Sequence, residues 1–150
     1  MALSKQRTEE IFQLTLRGGG SDRDAQKFVT SCTDYEELHF FAEQYNWDGD
    51  VKPIKKLIKN PNVDGGTLLY LYWYACPEDY YLFYRDAKEV ERGYERDVFT
   101  VIRDIEQRIE NRDYRTASIP FDPRSRISMR ERHGEFARQI PPLMMEPLSR

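Results

Sequence analysis

The sequence predicts an all-α fold: a single-domain bundle of about five to seven helices with an extended, proline-rich C-terminal tail. Three observations predict it. Apolar residues recur at helical spacings along most of residues 4–113. Helix-capping residues stand before several of these stretches. Five of the eight prolines fall in residues 114–150, where the helical spacing ends. We therefore treat residues 1–150 as one helical domain.

Composition indicates one folded domain with a core of its own. The chain has 150 residues, of which 39% are hydrophobic and 33% charged. This is too apolar for a disordered chain and too interrupted by charge for a membrane span. The longest apolar run, Leu68–Cys76, is short, and residues 1–10 lack the apolar stretch of a secretory signal. We therefore expect a cytoplasmic protein without a membrane partner.

The first two helices are marked by their boundaries. A helix is predicted over residues 4–17, and Gly18–Gly20 ends it because glycine interrupts a helix at low cost. Ser21 then caps a second helix, since its hydroxyl can accept a hydrogen bond from an unpaired amide of the first turn. Phe28 and Val29 are expected to face inward.

The third helix has the strongest pattern. Thr33 is the expected cap, with Glu36 three residues later as in a capping box. Its broad apolar stripe consists of Leu38, Phe40, Phe41, Ala42 and Tyr45.

A short fourth helix is predicted after the turn at residues 46–50. The turn does not fit a calcium loop, so Asp50 is interpreted as a helix cap. Pro53 is tolerated in a first helical turn, and the helix ends at Asn60 because Pro61 restricts the residue before it. Asp64 is expected to cap the next helix.

Leu68–Cys76 is ambiguous, because a buried strand and a buried helix look alike in a continuous apolar run. A lone strand would leave its backbone groups unpaired. We find no second convincing strand in the sequence, so a central helix is predicted.

The second half of the chain is predicted as one long helix or two, followed by the tail. Helical spacing runs from Pro77 to Ile109, with Gly93 as the expected bend. The tail at residues 114–150 is expected to wrap around the helices. Its apolar anchors are Ile119, Phe121, Ile140, Leu143 and Met144.

Catalytic and metal-binding patterns are missing from the sequence. Cys32 and Cys76 have no CxxC spacing and are interpreted as small buried hydrophobic residues. His39 and His133 have no partner at a metal-ligand spacing. Neither a P-loop nor a nucleophile motif is present. We therefore predict a non-enzymatic protein without a cofactor or metal.

The basic stretch in the fourth helix does not favour a nucleic-acid partner. Its lysines are Lys52, Lys55, Lys56 and Lys59. The isoelectric point near 5.5 and the acidic flanks predict a field that repels phosphate.

Negative charge is concentrated early in the chain. Residues 21–50 carry eight acidic and two basic side chains, whereas residues 51–66 and 114–150 are each net positive. Aromatic anchors in a negative field suit the capture of a basic protein. The predicted partner-binding residues are Asp34, Tyr35, Glu36, Glu37, Glu43, Tyr45, Trp47, Asp48 and Asp50. The alternative is a polar helix face whose aromatic residues point inward.

A family resemblance covers residues from about 34 to about 85. Its most specific parts are Tyr-Asn-Trp-Asp at 45–48 and Asn-Pro-Asn-Val-Asp-Gly-Gly-Thr at 60–67. Here the chain resembles the small bacterial family catalogued as domain of unknown function 4274, although Val63 stands where that family often has cysteine. The resemblance implies a compact helical bacterial cytosolic protein without an assigned activity, so no catalytic residues are carried over.

Three functional classes remain open. An immunity protein that neutralises a basic bacterial toxin fits the acidic segment and the missing catalytic motifs. A general helical scaffold or adaptor would bind through an exposed groove. A small-ligand protein would enclose a tyrosine-rich cavity.

Overall fold

The computed structural model describes residues 2–15, 17–48, 50–125 and 136–148. The predicted all-α class is confirmed, and these residues contain no β-strand. None of their helices is both long and apolar enough to cross a bilayer. The helices are α1 (Lys5–Leu14), α2 (Asp22–Ser31), α3 (Tyr35–Gln44), α4 (Lys52–Leu57), α5 (Gly65–Tyr74), α6 (Pro77–Tyr81) and α7 (Tyr94–Glu110).

Helix boundaries follow the capping signals with two corrections. Ser21 caps α2 as predicted and accepts a hydrogen bond from the Asp24 amide at 3.1 Å. The cap of α3 is Asp34, not Thr33, because the Asp34 carboxylate accepts from the first-turn amide of Glu36 at 2.8 Å. The end of α1 at Leu14 precedes the predicted glycines, and the predicted helical residue Leu16 lies outside the described residues.

The ambiguous apolar run is a helix, as predicted. Most of α5 is buried, and α3 and α7 both pack against it. A helix in such a central position is expected to be apolar on all sides, as α5 is over most of its length.

Of the two alternatives predicted for Pro77 to Ile109, one long helix is wrong and two helices, α6 and α7, are observed. Residues 82–93 separate α6 from α7 and contain a short 3₁₀ turn at Ala87–Glu89. Asp86 and Glu89 close a capping box around that turn, which replaces helical hydrogen bonds with local ones. Gly93 does not bend a helix. It precedes α7 with a φ of +112°, a conformation that favours glycine.

One hydrophobic cluster joins residues from Ile11 to Met144. Within it α1 packs on α3, α2 on α4 and α5 on α7. The two cysteines are less buried than predicted, since Cys32 and Cys76 are both half-buried at the edge of the core. Partial burial raises the pKa of the Cys32 thiol to about 11, so it stays protonated at neutral pH.

A charged side chain lies at the centre of this core. Glu106 of α7 is fully buried and accepts hydrogen bonds from the hydroxyls of Tyr72 and Tyr81, both at 2.6 Å. Its second oxygen pairs with the Arg103 guanidinium. Burial and the adjacent carboxylate raise the pKa of both tyrosines, so their hydroxyls remain donors. The group ties α5, α6 and α7 together.

Asp64 fastens the C-terminal segment to the start of α5. Its buried carboxylate accepts four hydrogen bonds of 2.6–3.0 Å. The donors are the amides of Gly66, Ser118 and Ile119 and the hydroxyl of Thr116. A Cβ atom at Gly66 would lie 1.9 Å from the Ile119 carbonyl oxygen, so only glycine allows this close approach.

Residues 136–148 of the segment contact α5 and α6. Trp73 donates its indole N–H to the Met144 carbonyl oxygen at 2.8 Å. The Arg138 amide donates to the Tyr81 carbonyl oxygen at 3.1 Å. Met144 is fully buried, whereas Leu143 is 46% exposed and is not the anchor that the sequence predicted. The neighbouring Met144 side chain packs into the core instead.

Candidate functional site

Two of the predicted binding residues lie inside the protein. Tyr45 is 2% exposed and Trp47 is 5% exposed. The Tyr45 hydroxyl donates to the Asp50 carbonyl oxygen at 2.7 Å, and its ring stacks on Phe41. The interpretation of Tyr45 and Trp47 as exposed anchors is therefore corrected: both stabilise the core beneath the surface.

Three of the predicted carboxylates have structural partners. Glu37 forms a 2.5 Å ion pair with Arg7 and ties α1 to α3. Asp34 is the α3 cap, and Asp50 accepts a hydrogen bond from the Lys52 amide at 2.9 Å. Asp34, Glu37 and Asp50 therefore each have a role within the fold.

The two tryptophans allow a matched test of their buried indole N–H groups. Trp47 finds no acceptor for its N–H among the described residues, whereas Trp73 donates to Met144. Trp73→Phe leaves a buried carbonyl unpaired and is expected to cost about 1.5 kcal/mol more free energy of unfolding than Trp47→Phe. Urea unfolding followed by circular dichroism measures both variants. Equal costs would mean that the Trp73 hydrogen bond does not stabilise the fold.

An aromatic surface that the sequence did not predict lies along α3 and α5. Tyr70 and Tyr74, four residues apart, share one side of α5 and lie 5.9 Å apart between ring centroids. We call the surface the tyrosine face. It consists of His39, Tyr70, Tyr74, Tyr94 and Phe121. The signal available in the sequence was the pair Tyr70 and Tyr74, two hydroxyl-bearing rings four residues apart in the apolar run of α5.

Exposure distinguishes this face from the core. Tyr74 is 43% exposed and Tyr94 is 45% exposed, and Trp47 supports the Tyr74 ring from below at 5.4 Å. Partial burial, Asp48 and Tyr74 raise the pKa of Tyr94. The face thus presents rigid rings beside a carboxylate.

A second carboxylate borders the other end of the tyrosine face. Glu43 lies 3.5 Å from His39 Nε2, and the His39 ring meets Tyr70 edge to face at 5.7 Å. Burial lowers the pKa of His39 despite the opposing effects of Glu43 and Asp64. The imidazole is therefore neutral at pH 7, and no cation among the described residues pairs with Glu43.

An open groove of about 400 Å³ continues from His39 toward α1. The residues that line it come from α1, α3 and the C-terminal segment. They are Leu3, Thr8, Tyr35, Glu36, His39, Phe40, Glu43, Ser118 and Ile119. The structure therefore brings together three of the predicted residues, Tyr35, Glu36 and Glu43, at this groove.

The surroundings of His39 resemble a catalytic arrangement in part. His39 Nδ1 lies 2.9 Å from the Thr67 hydroxyl, and Nε2 faces Glu43. A nucleophile must reach its substrate, and Thr67 is fully buried. The hydroxyl therefore orients the imidazole instead of serving as an accessible nucleophile. Among the described residues, no group of three or more His, Cys, Asp or Glu side chains is arranged to hold a metal ion.

Comparison with protein families matches residues 33–110 to Domain of unknown function (DUF4274). The chain belongs to the DUF4274 family. The resemblance inferred from sequence is thereby confirmed, and the match extends beyond residue 85 to include α7. No curated protein and no solved structure shows a significant match to the chain.

The DUF4274 match covers one part of the candidate site and leaves another part outside. Residues 33–110 contain α3 to α7, with His39 and the three tyrosines of the face. The α1 and C-terminal walls of the groove lie outside the matched range. The DUF4274 portion therefore supplies the floor of the groove and most of the tyrosine face.

Proposed function

We propose that this DUF4274 protein is a cytoplasmic, non-enzymatic binding module that docks a basic protein on its tyrosine face, as a bacterial immunity protein would dock its cognate toxin. The observation that carries the proposal is the exposure of Tyr74, whose ring packs on Trp47 and Tyr70, together with the exposed Tyr94 and Asp48 side chains.

The proposal follows from how protein interfaces gain affinity. Tyrosine buries a large area with little loss of conformational entropy, and its hydroxyl tolerates water before binding. Packing on Trp47 and Tyr70 restricts the Tyr74 ring before a partner arrives. Less ordering is then required on association.

Charge supports a basic partner. Glu43 and Asp48 are exposed at the border of the face, and His39 between Glu43 and Tyr70 is neutral at pH 7. Opposite charges across an interface accelerate association and reject acidic proteins. The scaffold alternative would bind through an exposed groove and would not have this preference for a basic partner. The ligand-cavity alternative is less favoured, because the buried Tyr72 and Tyr81 rings fill the core and bind Glu106.

Co-expression with the product of the neighbouring gene tests the proposal. We expect that product to inhibit growth, and we expect this chain to restore growth and to co-purify with it. Tyr74→Ala combined with Tyr94→Ala should weaken the complex at least tenfold, because both side chains are interface anchors. Binding is measured by titration calorimetry.

Two control variants test whether the loss of binding is specific to the tyrosine face, because they remove an exposed ring and an exposed charge elsewhere on the surface. Phe83→Ala removes an aromatic ring that is 67% exposed in the segment between α6 and α7. Glu91→Gln removes an exposed charge from the same segment. Both controls should keep full affinity and full protection. A neighbouring product that is neither toxic nor bound would overturn the immunity proposal, and equal losses in the control variants would overturn the assignment of the face.

A further inference from the structure

The groove beside the tyrosine face has features of a pocket for one side chain. Its volume is about 400 Å³. Glu36 and Glu43 are seven residues apart on α3, so they stand on the same side of the helix about 10 Å apart along its axis. His39 and Phe40 form the floor between them, and Leu3 and Ile119 supply apolar walls.

We propose that this groove receives an arginine side chain from the basic partner, with its guanidinium paired to the Glu43 carboxylate beside the His39 ring. The inference deepens the proposed function and rests on it. It assigns the groove as the specificity pocket and the tyrosine face as the larger surface around it.

Arginine fits the chemistry of the groove better than lysine does. Its planar guanidinium forms paired hydrogen bonds with a carboxylate and stacks on flat rings, whereas an ammonium acts as a compact charge. Carboxylate and ring are adjacent here, since Glu43 lies 3.5 Å from His39 Nε2. The aliphatic part of arginine can pack on Leu3, Phe40 and Ile119.

The position of His39 is fixed before any ligand binds. Its Nδ1 is hydrogen-bonded to the buried Thr67 hydroxyl at 2.9 Å, and Tyr70 packs against its ring. Neutral imidazole, maintained by burial, adds no positive charge to repel a guanidinium. The floor is therefore preorganised for a planar cation.

The walls explain how the groove can select among partners. Leu3 and Thr8 on one side and Ser118 and Ile119 on the other lie outside the DUF4274 match. Asp64 holds the second wall in place through the Ser118 and Ile119 amides. We therefore expect wall substitutions that leave the groove open to change partner preference without removing affinity for arginine.

Nuclear magnetic resonance titration with the capped peptide acetyl-Gly-Arg-Gly-amide tests the pocket directly. We expect saturable shifts of the His39 side chain and of amides in α3. The lysine peptide should bind at least threefold more weakly. The citrulline peptide, a neutral analogue of the arginine peptide, should cause no saturable shift.

Two variants with different physical effects complete the test. Glu43→Gln removes the charge and should weaken arginine binding at least fivefold, whereas Glu91→Gln, outside the groove, should not. Ser118→Trp keeps every charge but fills the groove, and it should abolish the His39 shifts. Circular dichroism verifies that each variant is folded.

The outcomes separate this inference from the proposed function. Equal binding of the arginine and citrulline peptides, or full binding by folded Glu43→Gln, overturns the arginine pocket. If the partner binds Ser118→Trp as tightly as the unaltered chain, the groove is not the specificity pocket, while docking on the tyrosine face still stands. If partner binding is lost with Tyr74→Ala and Tyr94→Ala but not with the groove variants, the conclusion is again that the groove is not the specificity pocket and that the partner docks on the tyrosine face.

Discussion

Replacing Glu106 with alanine is expected to lower the free energy of unfolding by about 4 kcal/mol, because removal of this buried carboxylate leaves two buried hydroxyls without an acceptor and a cavity in the core. The variant deprives the buried Tyr72 and Tyr81 hydroxyls of their shared acceptor and Arg103 of its partner. It also leaves a cavity between α5 and α7. Urea unfolding followed by circular dichroism measures the change.

Two comparisons show whether the loss comes from this group. Glu110→Ala, at an exposed position of the same helix, should change the free energy of unfolding by less than about 0.5 kcal/mol. Tyr72→Phe with Tyr81→Phe removes the donors and retains their ring packing. Combined with these two changes, Glu106→Leu should recover much of the lost stability, since an apolar replacement of the whole group needs no hydrogen bonds. A Glu106→Ala variant as stable as Glu110→Ala would contradict the assigned role.

Asp64→Ala is expected to lower the free energy of unfolding by about 3 kcal/mol, since it removes a helix cap together with charged hydrogen bonds to the C-terminal segment. Four donors lose their acceptor at once. We also expect faster proteolytic cleavage in residues 114–125, because that segment is held against α5 by these bonds. Thermal and urea unfolding, with timed proteolysis, measure the two effects.

Asp34 provides the matched control for Asp64. It caps α3 through the Glu36 amide but lies at the surface. Asp34→Ala should cost about 1 kcal/mol, the usual value for loss of a cap, and should leave proteolysis of residues 114–125 unchanged. Equal losses in the two variants would show that Asp64 acts only as a cap.

Local signals in the sequence predicted most helices and several of their ends. Ser21 and Asp64 cap helices because capping depends on atoms within three residues. The helix at Leu68–Cys76 followed from the lack of a strand partner. Two helices were among the alternatives predicted for Pro77 to Ile109, but the length of the break between α6 and α7 was missed, because apolar spacing continued through residues that form a 3₁₀ turn instead.

The candidate site was only partly predictable, because it depends on contacts between distant segments. Tyr45 and Trp47 share an acidic segment with Asp48, yet core packing places both rings inside. Tyr74 looked like a core residue within an apolar run and is 43% exposed. The groove joins α1, α3 and the C-terminal segment, a juxtaposition that no local pattern encodes.

Amide hydrogen exchange of the chain alone and in complex with its co-purified partner tests docking on the tyrosine face most directly. We predict slower exchange on binding in residues 36–48 and 67–76, with unchanged exchange in α4. Slower exchange confined to α4 and α7, with α3 and α5 unaffected, would place the partner on another surface and contradict the assignment.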